Sequence, residues 1–186
     1  MPSPLSHSIV ALALGSLIPN SLLPRKWWLV GVICAALPDV DIITFKVGIP
    51  YQHVMGHRGL THSVCFAVVL AFAITTVALF TAKNRRLTPA LSLYLCACTL
   101  SHGLLDALTN GGYGVAFWAP FSDQRFFFVW QPIHAAPLSV ARFASVKGLR
   151  VIGTELMWVV LPCLLIMLCA CTVRATMHRS VCIRQR

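Results

Sequence analysis

Acidic side chains are nearly missing from this chain: 5 Asp and Glu stand against 15 Lys and Arg in 186 residues, and charged residues of both signs make up only 11%. A soluble domain carries about a quarter of its residues as charges, so water is excluded as the solvent for much of this surface. Hydrophobic residues reach 58% and mean hydropathy is +0.78, which points to lipid instead. A zinc-type C-x-x-C is also missing. The 8 cysteines stand singly or as the C-x-C pairs Cys96/Cys98 and Cys169/Cys171, almost all within apolar runs. They read as small packing residues, not as a disulfide framework. No basic face interleaved with aromatics appears, so the net charge of +10 does not point to nucleic acid. Met1-Pro2-Ser3-Pro4 lacks the positive region of a cleavable signal peptide, and none is expected. There is no repeat and no low-complexity tract.

What is present is a series of five apolar segments. Residues 5–18 stop at Pro19 and residues 27–37 stop at Pro38, both short of the roughly 20 residues a span needs. They either recruit flanking residues or form half-buried helices. Residues 60–82 form the clearest span; residues 87–108 form another, with Pro89 in the first turn where a helix tolerates it. Residues 149–173 form the last, with a kink expected at Pro162. The expected fold is all-α: a multi-pass transmembrane bundle of four to five helices over residues 1–173, with a basic cytoplasmic tail over 174–186. Three connectors join the segments: the basic turn 83–86, a polar loop over 38–59, and a loop over 109–148 rich in Gly, Pro and aromatics. A loop of that length is functional or disordered, and its aromatics argue against disorder.

Basic residues set the orientation. If the turn 83–86 is cytoplasmic, nine Lys and Arg lie inside and six outside, the full 15. The candidate metal ligands then all fall at the outer ends of their helices: His7, Asp39, Asp41, His57, His62, His102 and Asp106, with Glu155 nearby. His102 and Asp106 are one helical turn apart and share a face. Asp39 and Asp41 follow Pro38, outside a regular helix, where two carboxylates can reach cations. Imidazole and carboxylate together suit zinc, manganese or iron. An acid at mid-bilayer costs about 2.5–3.5 kcal/mol, which a bound cation would offset. Singly, each residue has a plainer reading: Asp106 as a helix cap or an arginine partner, Glu155 as a first-turn acid, His53 and His134 as interfacial residues, His178 as a solvated one.

The motifs Pro38-Asp39-Val40-Asp41, His57-Arg58-Gly59-Leu60-Thr61-His62-Ser63 and Ser101-His102-Gly103-Leu104-Leu105-Asp106-Ala107-Leu108-Thr109, in that order, resemble those of the YdjM-like membrane-bound metal-dependent hydrolases of bacteria. The resemblance extends to His7, Gly111-Gly112-Tyr113-Gly114, the stretch Pro120 to Phe128, Gln131-Pro132-Ile133 and Glu155, about residues 1–165 in all. It implies a metal-dependent hydrolase in the bacterial inner membrane. More distantly, the His and Asp pattern is similar to the multi-zinc phospholipase C and nuclease group, which implies a phosphoester substrate.

The expected function is therefore hydrolysis of a phosphoester or lipid-like substrate at the outer face of the inner membrane. The seven ligands would hold one or more divalent ions, zinc first, with manganese or iron as alternatives. Arg58 and Arg125 would hold an anionic group or anchor to headgroups. Glu155 would serve as ligand or general base. Thr61 and Ser63 would orient ligands or cap the helix that follows. The expected partners are membrane lipid and an anionic substrate. The rivals are an ion or small-solute transporter, which predicts ionisable residues at mid-span, and a non-catalytic scaffold stabilised by metal, which predicts a closed ligand set.

Overall fold

Backbone N–H and C=O groups inside a bilayer must pair within their own segment, which leaves helices for an isolated span. The computed structural model describes residues 1–82, 87–137 and 143–184, and its regular structure is all-helical. In chain order the helices are α1 Pro4–Leu17, α2 Lys26–Ala36, α3 Val64–Ala82, α4 Leu87–Ala107, α5 Val146–Glu155 and α6 Leu161–Arg184. Four helical runs are long and apolar enough to cross a membrane: Lys26–Val47, Val64–Thr81, Pro89–Ala107 and Val146–Thr176. The basic turn 83–86 lies outside the described residues.

The second apolar segment recruits its flank, the first of the two expected alternatives, and only the stop at Pro38 is corrected. Helical structure does not stop at Pro38 but tightens into a 3₁₀ helix, Leu37–Val47. Leu37 still donates to the Ile33 carbonyl; Pro38 has no N–H to give and forgoes the next bond, and the run continues in the tighter geometry. Gly48, in the left-handed region at φ 78°, ends the run. Asp39 and Asp41 thus ride on a helical extension of α2, and the open loop begins only at residue 48.

The last span is one helical run from Val146 to Arg184, broken by a π turn at Leu156–Val160. Pro162 explains the break. It has no N–H for the carbonyl of Trp158, four residues earlier, so the α register cannot continue through it. The basic tail continues this helix to Arg184. Arg174 donates to the carbonyls of Ser16 and Ile18, closing the C-terminal end of α1.

α3 packs on α4, α2 on α1 and α4, and α1 on α6. Among lipids, apolar surface gives helices no reason to associate, and small residues that let backbones approach take over. The core follows that logic: Ala11, Ala35, Ala71, Ala78, Cys34 and Cys98 surround Leu91, Leu95 and Tyr94. The Tyr94 hydroxyl donates to the Ala11 carbonyl at 3.1 Å. Leu29, Val69, Phe72, Phe80, Leu93 and Leu165 stay exposed, as lipid-facing side chains should. All seven cysteines whose side chains are described are unpaired.

The aromatic loop folds back over the ends of α3 and α4. Isolated bridges join Thr109 to Ile133 and Val115 to Phe126. The Val64 amide donates to Phe117 and the Phe128 amide to Ala107, each at 3.0 Å. This cover lies at the end of the bundle where the candidate ligands gather.

Candidate metal centre

Each ligand reaches the site from a segment end. The 3₁₀ helix brings Asp39 and Asp41, the short 3₁₀ turn Leu60–His62 brings His62, and the last turn of α4 brings His102 and Asp106. The bend between His57 and His62 carries strain. Arg58 sits at φ 61°, the lone non-glycine residue with positive φ among the described residues, a conformation that costs about 1–3 kcal/mol. The next residue must be glycine: a Cβ on Gly59 would lie 2.1 Å from the Val54 carbonyl oxygen. Ser63 ends the bend by capping α3, its hydroxyl accepting from the Phe66 amide at 3.0 Å.

Four donor atoms converge. His62 Nε2 lies 3.1 Å from His102 Nε2 and 3.4 Å from Asp106 Oδ2. His102 Nε2 lies 3.3 Å from Asp39 Oδ1 and 4.0 Å from Asp106 Oδ2, and His62 Nε2 is 3.9 Å from Asp39 Oδ1. Ligands at 2.0–2.1 Å in a tetrahedron stand about 3.3 Å apart, and these edges bracket that value. Asp39, His62, His102 and Asp106 form one group within reach of a single ion; Asp41, His57 and His62 form another. The side chains of His62, His102 and Asp106 are fully buried; Asp39 is 13% exposed, although its Oδ1, which faces the group, is buried.

The protonation states are fixed by partners that can only accept. His102 Nδ1 donates to the Ala35 carbonyl at 2.6 Å. His62 Nδ1 faces Asp41 Oδ2 at 3.2 Å and the Thr61 hydroxyl at 3.0 Å, and that hydroxyl already donates to Asp41 at 2.6 Å. Both rings carry their first proton on Nδ1, so two Nε2 lone pairs point at each other across 3.1 Å. Such a pair needs a positive charge between the nitrogens. Burial pulls the His62 imidazolium down, but the hydrogen bonds and charges of Asp106 and Asp41 outweigh it and raise the ring to about 9. The same position suits a divalent cation, and the donor set fits one.

Asp41 stands differently. It accepts from His57 Nδ1 at 2.5 Å, the Arg58 amide at 3.1 Å, Thr61 at 2.6 Å and His62 Nδ1 at 3.2 Å. Four donors meet its two oxygens, so it holds His57 and orients the candidate ligand His62; the same three residues form the second group that could hold an ion. His7 lies against the site, its ring stacked on His102 with centroids 3.8 Å apart. It belongs to neither donor group, yet it is fully buried and neither ring nitrogen has a partner.

The two arginines are heavily committed. Arg58, itself buried, places Nε 2.9 Å from Asp106 Oδ2 and donates to Gly111 O at 2.8 Å and Thr109 Oγ1 at 3.1 Å. Arg125 donates to the carbonyls of Tyr51, His53, His57, Arg58 and Gly114. It ties the 48–63 loop to the aromatic loop. Glu155 is apart from both donor groups. It accepts from the Ser3 amide at 2.5 Å, from the Ser3 hydroxyl, and from the Ser6 hydroxyl at 2.8 Å. It thereby anchors the start of α1, and with it His7, against α5.

Sequence reasoning missed three contributors. Ala35 acts through its carbonyl, which no side-chain pattern reveals. Thr109 holds Arg58, and its place in the motif run after Asp106 was the signal available. Tyr51 edges onto His57 with ring centroids 5.3 Å apart, a contact only the fold creates.

The family model described as YdjM inner membrane protein matches residues 1–180. The inner membrane protein YbcI of Escherichia coli (strain K12) is 40% identical over 169 residues, which cover 90% of this chain and 95% of that protein. No solved structure matches the chain.

Proposed function

This chain belongs to the YdjM family of inner membrane proteins, and from that premise we propose that it is a metal-dependent hydrolase whose site opens at the outer face of the membrane. The observation that carries the reading is the convergence of His62 Nε2, His102 Nε2 and the Asp39 and Asp106 oxygens within reach of one ion. Asp39, His62, His102 and Asp106 would hold one divalent ion, zinc by donor type. Bound there, the ion would supply Lewis acidity, to polarise a scissile phosphoryl group and to acidify water.

The chain's own residues do the rest. Asp41 and Ala35 lock the tautomers of His62 and His102. Arg58 offsets the charge of Asp106 within the buried site. Asp39 is the least enclosed of the four, so substrate would approach from its side, as a catalytic centre with an open position requires. The ionisable residues gather at segment ends, where a relay through mid-span would not need them; that favours a hydrolase over a transporter. His7, with two unpartnered nitrogens, is the candidate for a further donor.

Purified protein is expected to hold one equivalent of zinc by elemental analysis and to cleave members of a phosphoester panel. Chelation should abolish cleavage and added zinc should restore it. Protein that folds, carries no metal and cleaves nothing would sink the proposal.

The outer-face assignment rests on the bias of nine basic residues inside against six outside, 15 in all. A reporter active only in the cytoplasm, fused after Arg186, should be active. Activity only from a periplasmic reporter at that position would reverse the orientation and leave the metal centre standing.

A further inference from the structure

Beside the metal centre is a cavity of about 230 Å³, walled by Phe45, Tyr51, His57, Arg58, Gly111 and Gly112. Arg58 connects the two, since its Nε side faces Asp106 while Nη1 reaches the cavity wall. A guanidinium has five N–H donors. Nη1 and Nη2 each spend one, on Gly111 and Thr109, and Nε lies in ion-pair contact with Asp106, so Nη1 retains one.

Tyr51 supplies a second donor. Its ring is clamped: the Arg125 guanidinium lies 5.2 Å from its centroid, and Phe45, His57 and Tyr113 meet it at centroid distances of 5.9, 5.3 and 5.1 Å. The hydroxyl at the end of this fixed ring is buried. It lies beside the Tyr113 backbone amide but makes no hydrogen bond of normal geometry. Burial pushes the phenol up from its ordinary value, so the group keeps its proton and donates. A buried polar atom without a partner calls for an explanation, and a bound ion is one.

Gly112 lets the two donors close on one point. It sits at φ 88°, and a Cβ there would come within 2.6 Å of Tyr51 Oη and 3.0 Å of Arg58 Nη1. Both atoms therefore pack close against the Gly112 backbone and converge there on the cavity wall. Two converging donors, one on a cation, suit an oxyanion.

We propose that Tyr51 Oη and Arg58 Nη1 form an oxyanion subsite beside the metal centre, which takes a phosphate-class oxygen of the substrate. The inference rests on the hydrolase reading above and names its substrate class. Tyr51 is a binding residue here, and the metal is held without it.

The test is titration of inorganic phosphate, by calorimetry, into zinc-loaded protein in phosphatidylcholine nanodiscs, wild type against Tyr51→Phe. The variant keeps the ring and its clamps and loses only the hydroxyl. A hydrogen bond to a charged group is worth enough to weaken phosphate binding roughly tenfold or more, with zinc content unchanged. Equal affinity in the two proteins, or no phosphate binding by the wild type, overturns the subsite. Repeating the titration in nanodiscs containing phosphatidic acid identifies the source. Competition in the wild type that weakens in Tyr51→Phe supports a lipid headgroup; undiminished phosphate binding supports a water-soluble phosphoester. Zinc content separates the two readings. Protein without zinc defeats the hydrolase proposal, and the same phosphate titration still decides the subsite, because both donors belong to the protein.

Discussion

Asp106→Asn is expected to strip the metal and to destabilise the fold at the same time. From the sequence alone, a neutral amide near the bilayer edge should insert at least as easily as a carboxylate, and the variant should lose metal while keeping its fold. The structure adds Arg58. Its guanidinium is buried with Nε 2.9 Å from Asp106 Oδ2, and an amide leaves that charge without its counter-ion. Removing one partner of a buried ion pair costs about 3–5 kcal/mol. The two roles separate in the double variant Asp106→Asn with Arg58→Met. Methionine fills much of the arginine's space without the charge, so melting temperature should recover most of its loss while zinc stays absent. Full zinc occupancy in Asp106→Asn would remove Asp106 from the ligand set and weaken the shared-face argument for His102. Failure of Arg58→Met to restore stability would mean that the pair is not what holds this end of α4.

The uneven legibility of the fold has physical causes. The spans Val64–Thr81 and Pro89–Ala107 were readable because each is a long apolar run with a clear boundary. The reach of α2 was not. Pro38 normally ends a helix, and only the local tightening into 3₁₀ geometry carries the run to Val47. The gathering of His62, His102, Asp39 and Asp106 was legible because motif spacing and basic-residue topology put them at one end independently. Their division of labour was not. Asp39 and Asp41 are two residues apart and chemically identical, and only the donors around each distinguish them: four for Asp41, none for Asp39 Oδ1. For Arg58 and Arg125 the pattern gave a cation near the site but could not say that backbone carbonyls would claim so many of their N–H groups.

The difference between the two aspartates gives the second large effect. Asp41→Asn is expected to weaken zinc binding by about 10- to 100-fold, the range for losing the partner that orients a ligating histidine, while the protein still binds one equivalent at saturating zinc. The carboxylate now accepts from His57, His62, Thr61 and the Arg58 amide, all converging on two oxygens. An amide brings one oxygen and one NH₂ group. His57 alone meets Oδ1 while the Arg58 amide, Thr61 and His62 share Oδ2, so the NH₂ group would face one donor or three, and at least one imidazole must turn or change tautomer. If His62 moves its proton to Nε2, the lone pair that faces His102 is gone and the metal loses a ligand; zinc can win it back only at the cost of that rearrangement. Asp39→Asn removes a proposed direct ligand and should lower the zinc equivalents themselves. Titrating both variants with zinc under a competing chelator decides the matter. An Asp41→Asn protein that binds less than one equivalent at saturation would make Asp41 a ligand in its own right. An unchanged affinity would mean that Thr61 and Arg58 hold His62 in place without the carboxylate.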